Sequence, residues 1–143
     1  MNVHRVAAGV SIAVVAIAAL AGFLVSGTPG EQRLKRLDAH RVADLQNLAR
    51  AVERYWYPQH SLPTSVDPLV DGLNLSRLPT DPVTGTPYRY ERLSADSYRL
   101  CADFARPSEA WEGDDFWRHP AGTHCYTFKV PPDGLPGTPL APR

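Results

Sequence analysis

The feature that most constrains the fold is a long two-faced segment between residues 31 and 56. Its apolar residues recur every three to five positions, with charged and amide side chains mostly between them. This period is typical of an amphipathic helix, which here would run for about seven turns and end by Pro58. Such a helix must bury its apolar stripe against another element. The apolar positions are Leu34, Leu37, Val42, Leu45, Leu48, Val52, Tyr55 and Trp56.

Short alternating segments after the helix predict that this partner is a sheet. Residues 88–93 and 98–104 alternate large apolar with polar side chains, and the residues between them are typical of a turn. Together they predict an antiparallel hairpin with one buried face. A last strand is expected at residues 125–130, after a long loop without a clean period. The predicted fold is α+β, with the long helix packed on a small antiparallel sheet.

The N-terminal segment of residues 6–25 has no charged residue and no proline, and its only hydroxyl belongs to Ser11. At a rise of ~1.5 Å per residue this length matches a hydrocarbon core of ~30 Å. We therefore predict one transmembrane helix, a membrane anchor over residues 1–25. A cleaved secretory signal is the alternative, since Ala19-Leu20-Ala21 offers small residues at a cleavage site.

The cations around this anchor give conflicting signals about its orientation. Several basic residues follow it between residues 33 and 41, whereas only Arg5 and the terminal amine precede it. Cations near a span prefer the cytoplasmic side, which argues against export. We favour export because Glu31 and Asp38 lie among those cations and because two cysteines suit an oxidising compartment. The expected location is the inner membrane, single-pass, with the C-terminal domain in the periplasm.

Glycine and proline mark the expected boundaries of the domain. Residues 26–30 read Ser-Gly-Thr-Pro-Gly and predict a hinge after the anchor, while the proline- and glycine-rich residues 131–143 predict a disordered tail. One exported domain over residues 31–130 lies between them. Lysine and arginine balance aspartate and glutamate at 15 each. A chain without net charge has no long-range attraction for nucleic acid, so no nucleic-acid partner is expected.

The two cysteines, Cys101 and Cys125, lie in predicted strands on either side of the long loop. An exported domain with an even number of cysteines usually oxidises them, so a structural disulfide is predicted. The alternative is a zinc site that adds His119 and His124 to the two sulfurs. Adjacent residues of a strand point to opposite faces, which disfavours joint ligation by His124 and Cys125. We expect neither a metal nor a cofactor.

Catalytic motifs are missing from the sequence. It contains no Gly-x-Ser-x-Gly turn, no Ser-x-x-Lys pair, no His-Glu-x-x-His helix and no phosphate-binding glycine loop. We therefore expect a protein that is not an enzyme. The loop aromatics Trp111 and Trp117 are the candidate binding residues, because flat amphipathic rings suit sugars and peptides.

One turn-and-strand motif carries a family resemblance. Leu78-Pro79-Thr80-Asp81-Pro82 is followed by Gly85 and then by Pro87-Tyr88 and Tyr90. Asp44, Leu48, Val52 and Tyr55 on the helix and Leu62-Pro63-Thr64 after it also match. Over about residues 41–100 the chain resembles the bacterial type II secretion pseudopilins and related type IV pilin-like proteins. The motif is similar to their Leu-Pro-x-Asp-Pro-x-Gly-x-Pro-Tyr-x-Tyr stretch.

The resemblance implies a pilin-like fold and covers the globular domain alone. The apolar run precedes Gly22-Phe23 and lacks the glutamate found at the fifth position of pseudopilin helices, so filament incorporation is not implied. The acidic calcium-binding loop of the major pseudopilin is not recognisable either. The implied function is a non-enzymatic, membrane-anchored envelope protein that acts by protein contact beside a secretion or pilus system. The alternative is an envelope module that binds glycan or peptide through Trp111 and Trp117.

Overall fold

A computed structural model describes residues 3–26, 28–72, 74–109 and 115–130. For residues 3–6, 20, 21 and 23–26 only the backbone is described. Trp111 and the tail of residues 131–143 therefore lie outside the described residues. Two helices precede three strands, namely α1 at Val3–Ser26, α2 at Pro29–Gln59, β1 at Arg89–Arg92, β2 at Ser97–Phe104 and β3 at Gly122–Lys129. The chain divides into two compact units between Leu34 and Lys35, and the strands belong to the second.

The membrane anchor predicted for residues 1–25 is wrong. Residues Val3–Ser26 form helix α1, but no helix in the described part of the chain combines the length and apolar character needed to cross a bilayer. The prediction counted uncharged positions as far as Val25, whereas the run of described side chains at residues 7–19 is shorter than the ~20 apolar residues that a span needs. The single-pass location in the inner membrane with a periplasmic domain depended on this anchor and is contradicted by the same finding.

Helix α2 begins earlier than its apolar period indicated. The backbone N–H of Thr28 donates to Glu31 Oε2 at 3.0 Å, and the N–H of Glu31 donates to Thr28 Oγ1 at 3.3 Å. This reciprocal pair is a capping box, with Pro29 in the first helical position where its missing N–H costs nothing. Much of the segment expected to be a hinge, residues 26–30, is thus helical, since α1 ends at Ser26 and α2 begins at Pro29. Residue 27 of that hinge lies outside the described residues.

The sheet has the order β1-β2-β3, with both pairs antiparallel. Tyr90 lies opposite Leu100 in the first pair, and Leu100 lies opposite Tyr126 in the second. The predicted hairpin is therefore confirmed. Strand β3 begins at Gly122, earlier than the expected start at Cys125. Residues Asp115–Trp117 form a short 3-10 turn within the loop.

The core lies between one face of α2 and one face of the sheet, as in an α+β fold. The predicted fold differs from it in the transmembrane helix, which the described residues lack. From α2 it takes Leu45, Leu48, Ala49, Ala51 and Val52, all buried. The sheet side supplies Tyr98, Leu100, Ala102, Phe104, Tyr126 and Phe128, and the connections add Leu62, Leu69, Tyr88, Phe116 and Val130. The stripe differs from prediction at its N-terminal end, where Leu34 is 38% exposed and the buried side chains are Asp38 and Arg41.

Candidate functional site

A groove of about 400 Å³ runs beside α2 at the end of strand β2. One wall is the helix between Lys35 and Gln46, and the other is formed by residues 106–109 with Trp117 and His119. The end of strand β2 determines the position of this second wall. The strand stops at Phe104, and the next residues contact helix α2. The groove combines cationic, aromatic and aliphatic side chains.

Arg106 lines this groove and also carries a buried donor. Its Nη1 is buried and has no hydrogen-bond partner within the part of the chain that the structure describes. A buried donor left without an acceptor costs about 1–3 kcal/mol, and more when it is charged. Native proteins rarely retain such a group. Residues 110–114, which follow this wall, lie outside the described residues.

The backbone around Arg106 is held by a carboxylate of the helix. The N–H groups of Ala105 and Arg106 donate to Asp38 Oδ1 and Oδ2, each at 2.9 Å. Asp38 is 5% exposed and is also held by Arg41, whose Nη1 lies 2.8 Å from Oδ1. The start of the second wall is thus fixed to α2 by charge-assisted hydrogen bonds.

Arg41 joins this carboxylate to the turn motif that carried the family resemblance. Its Nε donates to Asp81 Oδ2 at 2.6 Å, and its Nη2 lies 3.3 Å from Oδ1. The hydrogen bond to Asp81 raises the pKa of the guanidinium. The buried Arg41 cation thus links helix α2 to the turn through Asp81. Through Asp38 it also links the helix to the groove wall at Arg106.

Asp81 also shapes its own turn. Its Oδ1 accepts the N–H groups of Val83 at 2.8 Å and Thr84 at 2.9 Å. Gly85 follows at a φ of 70°, a conformation that favours glycine. The hydrogen bond from Arg41, supported by those two N–H groups, lowers the pKa of Asp81 to about 2. Asp81 therefore has a structural role in this motif. The other residues of the turn are Pro79, Pro82, Gly85 and Pro87.

The two tyrosines of the motif fasten the sheet to the preceding elements. The Tyr88 hydroxyl donates to Asp44 Oδ2 at 2.8 Å, and the Tyr90 hydroxyl donates to the Pro63 carbonyl at 2.8 Å. Burial raises the pKa of both, that of Tyr90 to about 12. Neutral hydroxyls are therefore the relevant form, and they act as structural donors.

Trp117 reaches the groove from the edge of the aromatic core. Its ring centroid lies 4.8 Å from that of Tyr126 and 5.2 Å from that of Phe116. The side chain is half-buried, so part of it forms groove wall while the remainder packs inward. The predicted pair with Trp111 cannot be placed, because Trp111 lies outside the described residues.

His119 is held as part of the wall. Its ring stacks on Phe104 with centroids 3.6 Å apart, and its Nδ1 lies 3.2 Å from the Pro120 carbonyl. The Ser108 N–H donates to the His119 carbonyl at 2.9 Å, and the His119 N–H donates to Ser108 Oγ at 3.0 Å. These bonds join the two segments of the wall into one surface.

The disulfide joins Cys101 and Cys125, which face each other across β2 and β3. This bond removes both sulfurs from the zinc alternative, and the described residues contain no group of three or more His, Cys, Asp or Glu that could hold a metal ion. His124 lies beside Tyr126, with centroids 4.7 Å apart. Burial lowers the pKa of His124, so its neutral form is favoured.

Asp38, Arg41 and Arg106 are the site residues that sequence reasoning missed. A signal existed for the first two, because Asp38 and Arg41 precede Leu45, Leu48 and Val52 at helical spacing and so continue the buried stripe. Their polarity concealed that position. Arg106 carried no signal, since its role depends on where the chain turns after β2.

Comparisons of the chain with protein-family models, with curated proteins and with solved structures returned no match.

Proposed function

We propose that this chain is a non-catalytic domain that acts by contact with another protein, and that it makes this contact in the groove beside α2. The mixed polar and apolar lining of this groove is the observation that carries the proposal. A binding surface needs a few placed polar groups among apolar ones. The groove has this character, with Val42 and Trp117 near Arg106.

The buried carboxylates already accept hydrogen bonds from within the domain, which supports a binding role over a catalytic one. Asp38 and Asp81 already accept hydrogen bonds from Arg41 and from backbone N–H groups. A general acid or base needs a free lone pair or proton within reach of a substrate. Cys101 and Cys125 are joined to each other and offer no thiolate.

The pseudopilin resemblance suggests the class of partner. The motif residues Asp81, Tyr88 and Tyr90 hold the helix against the sheet and the turn. We infer that this pilin-like support presents the groove to a component of a secretion or pilus system. The groove geometry carries the binding role independently of that suggestion.

A glycan-binding role through Trp117 is the second candidate. Sugar platforms use an open aromatic face. The Trp117 ring is instead half-buried and packed near Phe116, Tyr126 and Phe128. This packing favours a contact that uses the ring edge within a groove, as a peptide segment would.

Site-specific photo-crosslinking tests the proposed contact. A photoreactive benzoyl-phenylalanine at Gln46, on the groove wall, is compared with one at Thr127 on the outer face of β3. In cells of the organism that encodes the chain, we expect an adduct of defined mass from Gln46 alone. The adduct should weaken when Arg106→Gln is added. An equal adduct from Thr127, or none from Gln46, would contradict the proposal.

A further inference from the structure

We propose that the free edge of strand β3 pairs with the same edge of a second copy of this chain, so that one antiparallel sheet continues through both copies. This surface is separate from the groove beside α2, and the inference therefore goes beyond the proposed function. It follows from the hydrogen-bond pattern of the sheet, from the charges on its two edges and from the way in which β3 matches itself.

Strand β3 forms one edge of the sheet, and part of its backbone points away from β2. The Val130 N–H donates to the Asp96 carbonyl at 2.8 Å, one position beyond the last pair of the two strands. In an antiparallel pair only every second residue exchanges hydrogen bonds with the facing strand. The N–H and C=O groups of Thr123, Cys125 and Thr127 therefore point outward.

These outward groups form a row of unused donors and acceptors. Among the residues that the structure describes, none forms a hydrogen bond with the backbone of Thr123, Cys125 or Thr127 on that side. Thr123 is exposed, and Cys125 and Thr127 are half-buried. An edge of this kind is a template on which another strand can pair.

The two edges of the sheet differ in their protection against such pairing. Short strands and charged side chains are common obstacles to edge pairing. The opposite edge, β1, has four residues and carries charges at Arg89, Glu91 and Arg92. Strand β3 has eight residues and no proline, and its only lysine, arginine or carboxylate is Lys129 at its end. The edge that is suited to pairing is therefore β3.

Strand β3 also matches itself in an antiparallel arrangement. With a two-fold axis at Cys125, Thr123 of each copy lies opposite Thr127 of the other. On the inner face, His124 lies opposite Tyr126 in the same way. Threonine pairs are favourable across strands, and this arrangement places no like charges opposite each other. Each copy then satisfies the backbone groups of the other, as in an isologous contact.

The charge of the whole chain does not oppose this contact. Lysine plus arginine equals aspartate plus glutamate at 15 each, so no net charge repels one copy from another. A second copy supplies a strand of matching length and with the same free edge, which favours it as the occupant.

Amide hydrogen exchange of the full chain over a concentration series tests this pairing. In a single copy the Cys125 and Thr127 N–H groups lack an acceptor and should exchange fast. From micromolar to millimolar chain concentration, we expect their exchange to slow by about tenfold or more as the edges pair. The Arg92 N–H, on the free edge of β1, should keep its rate. Analytical ultracentrifugation of the same samples should show a dimer.

Two matched double variants identify a second copy as the occupant. Thr123→Lys with Thr127→Lys places like charges opposite each other at two positions across the axis, and should weaken the dimer about tenfold. Thr123→Lys with Thr127→Glu places opposite charges there and should associate at least as tightly as the wild type. Both variants change the same outer-face positions of β3, so they differ only in the sign of one charge.

The crosslinking experiment distinguishes this contact from the proposed function. Pairing of β3 adds a product of twice the chain mass from the probe at Thr127. Its mass separates it from the partner adduct at Gln46. Arg106→Gln should leave the Thr127 product unchanged, since Arg106 does not lie on β3.

A chain that stays a single copy at millimolar concentration would overturn the inference. A dimer in which the Cys125 and Thr127 N–H groups still exchange fast would place the contact elsewhere and overturn it too. Slow exchange of both groups at every concentration would show that the edge is already paired within one chain. Equal association of the two double variants would also count against a second copy. Should the variants fail to fold, exchange on the wild-type chain decides alone.

Discussion

At the scale of single residues, the buried charges of α2 determine how this domain is held together. Arg41 lies between Asp38 and Asp81 and contacts both carboxylates within 3.3 Å. Breaking a buried pair by removing one partner is strongly destabilising, because the other charge remains buried. The conformation of the groove wall therefore depends on the Arg41 side chain.

The pKa of Asp81 makes this dependence measurable. It is lowered from 3.8 to about 2 by Arg41, so the stabilisation is present above pH 3.8 and is lost as the pH falls through the folded value. The shift corresponds to about 2 kcal/mol of unfolding free energy. Urea unfolding between about pH 5 and about pH 2 should show this loss in the wild type.

The Asp81→Asn variant should lack that pH-dependent component and be less stable at neutral pH. Asp115→Asn is the matched control, because its side chain is 89% exposed. It should retain the wild-type pH profile. A wild-type profile in Asp81→Asn would show that the Arg41 contact does not stabilise the folded state.

At the scale of elements, the disulfide and the hairpin registers fix the sheet. Cys101 and Cys125 are separated by 24 positions. A crosslink over such a loop stabilises the folded state by about 3 kcal/mol on the chain-entropy estimate. Replacing both cysteines with alanine should therefore lower the unfolding free energy by about that amount, as measured in urea.

Chemical reduction of the wild type provides the control for the alanine pair. It should lower the unfolding free energy to a similar value, because both treatments open the same loop. A loss of less than about 1 kcal/mol in both experiments would show that the loop is constrained without the bond.

Elements with a clear period could be predicted from the sequence, and elements fixed by single contacts could not. The alternation at residues 88–104 predicts β1 and β2 because one face of that hairpin is buried. The start of α2 depends instead on the capping box of Thr28 and Glu31, which lies outside the apolar stripe. The anchor prediction failed because it judged residues 1–25 by missing charges.

At the scale of the whole molecule, helix α2 and the segment that follows the sheet's central strand form a mixed polar and apolar groove. The turn motif, the helix and the segment after β2 are connected through Asp81, Arg41 and Asp38 to the backbone of Arg106. Sequence reasoning identified Trp117 as a candidate and could not identify the groove, because its walls are distant in sequence and meet only in the folded chain. We propose that a partner binds in that groove.

A crystal structure of the chain in complex with the partner that is captured by crosslinking at Gln46 tests the central claim most directly. We predict a partner segment seated in the groove, with an apolar partner side chain against Val42 and Trp117 and with the contact of Asp38 with the Arg106 N–H unchanged. A partner seated on the outer face of the sheet, with the groove beside α2 empty, would contradict this prediction.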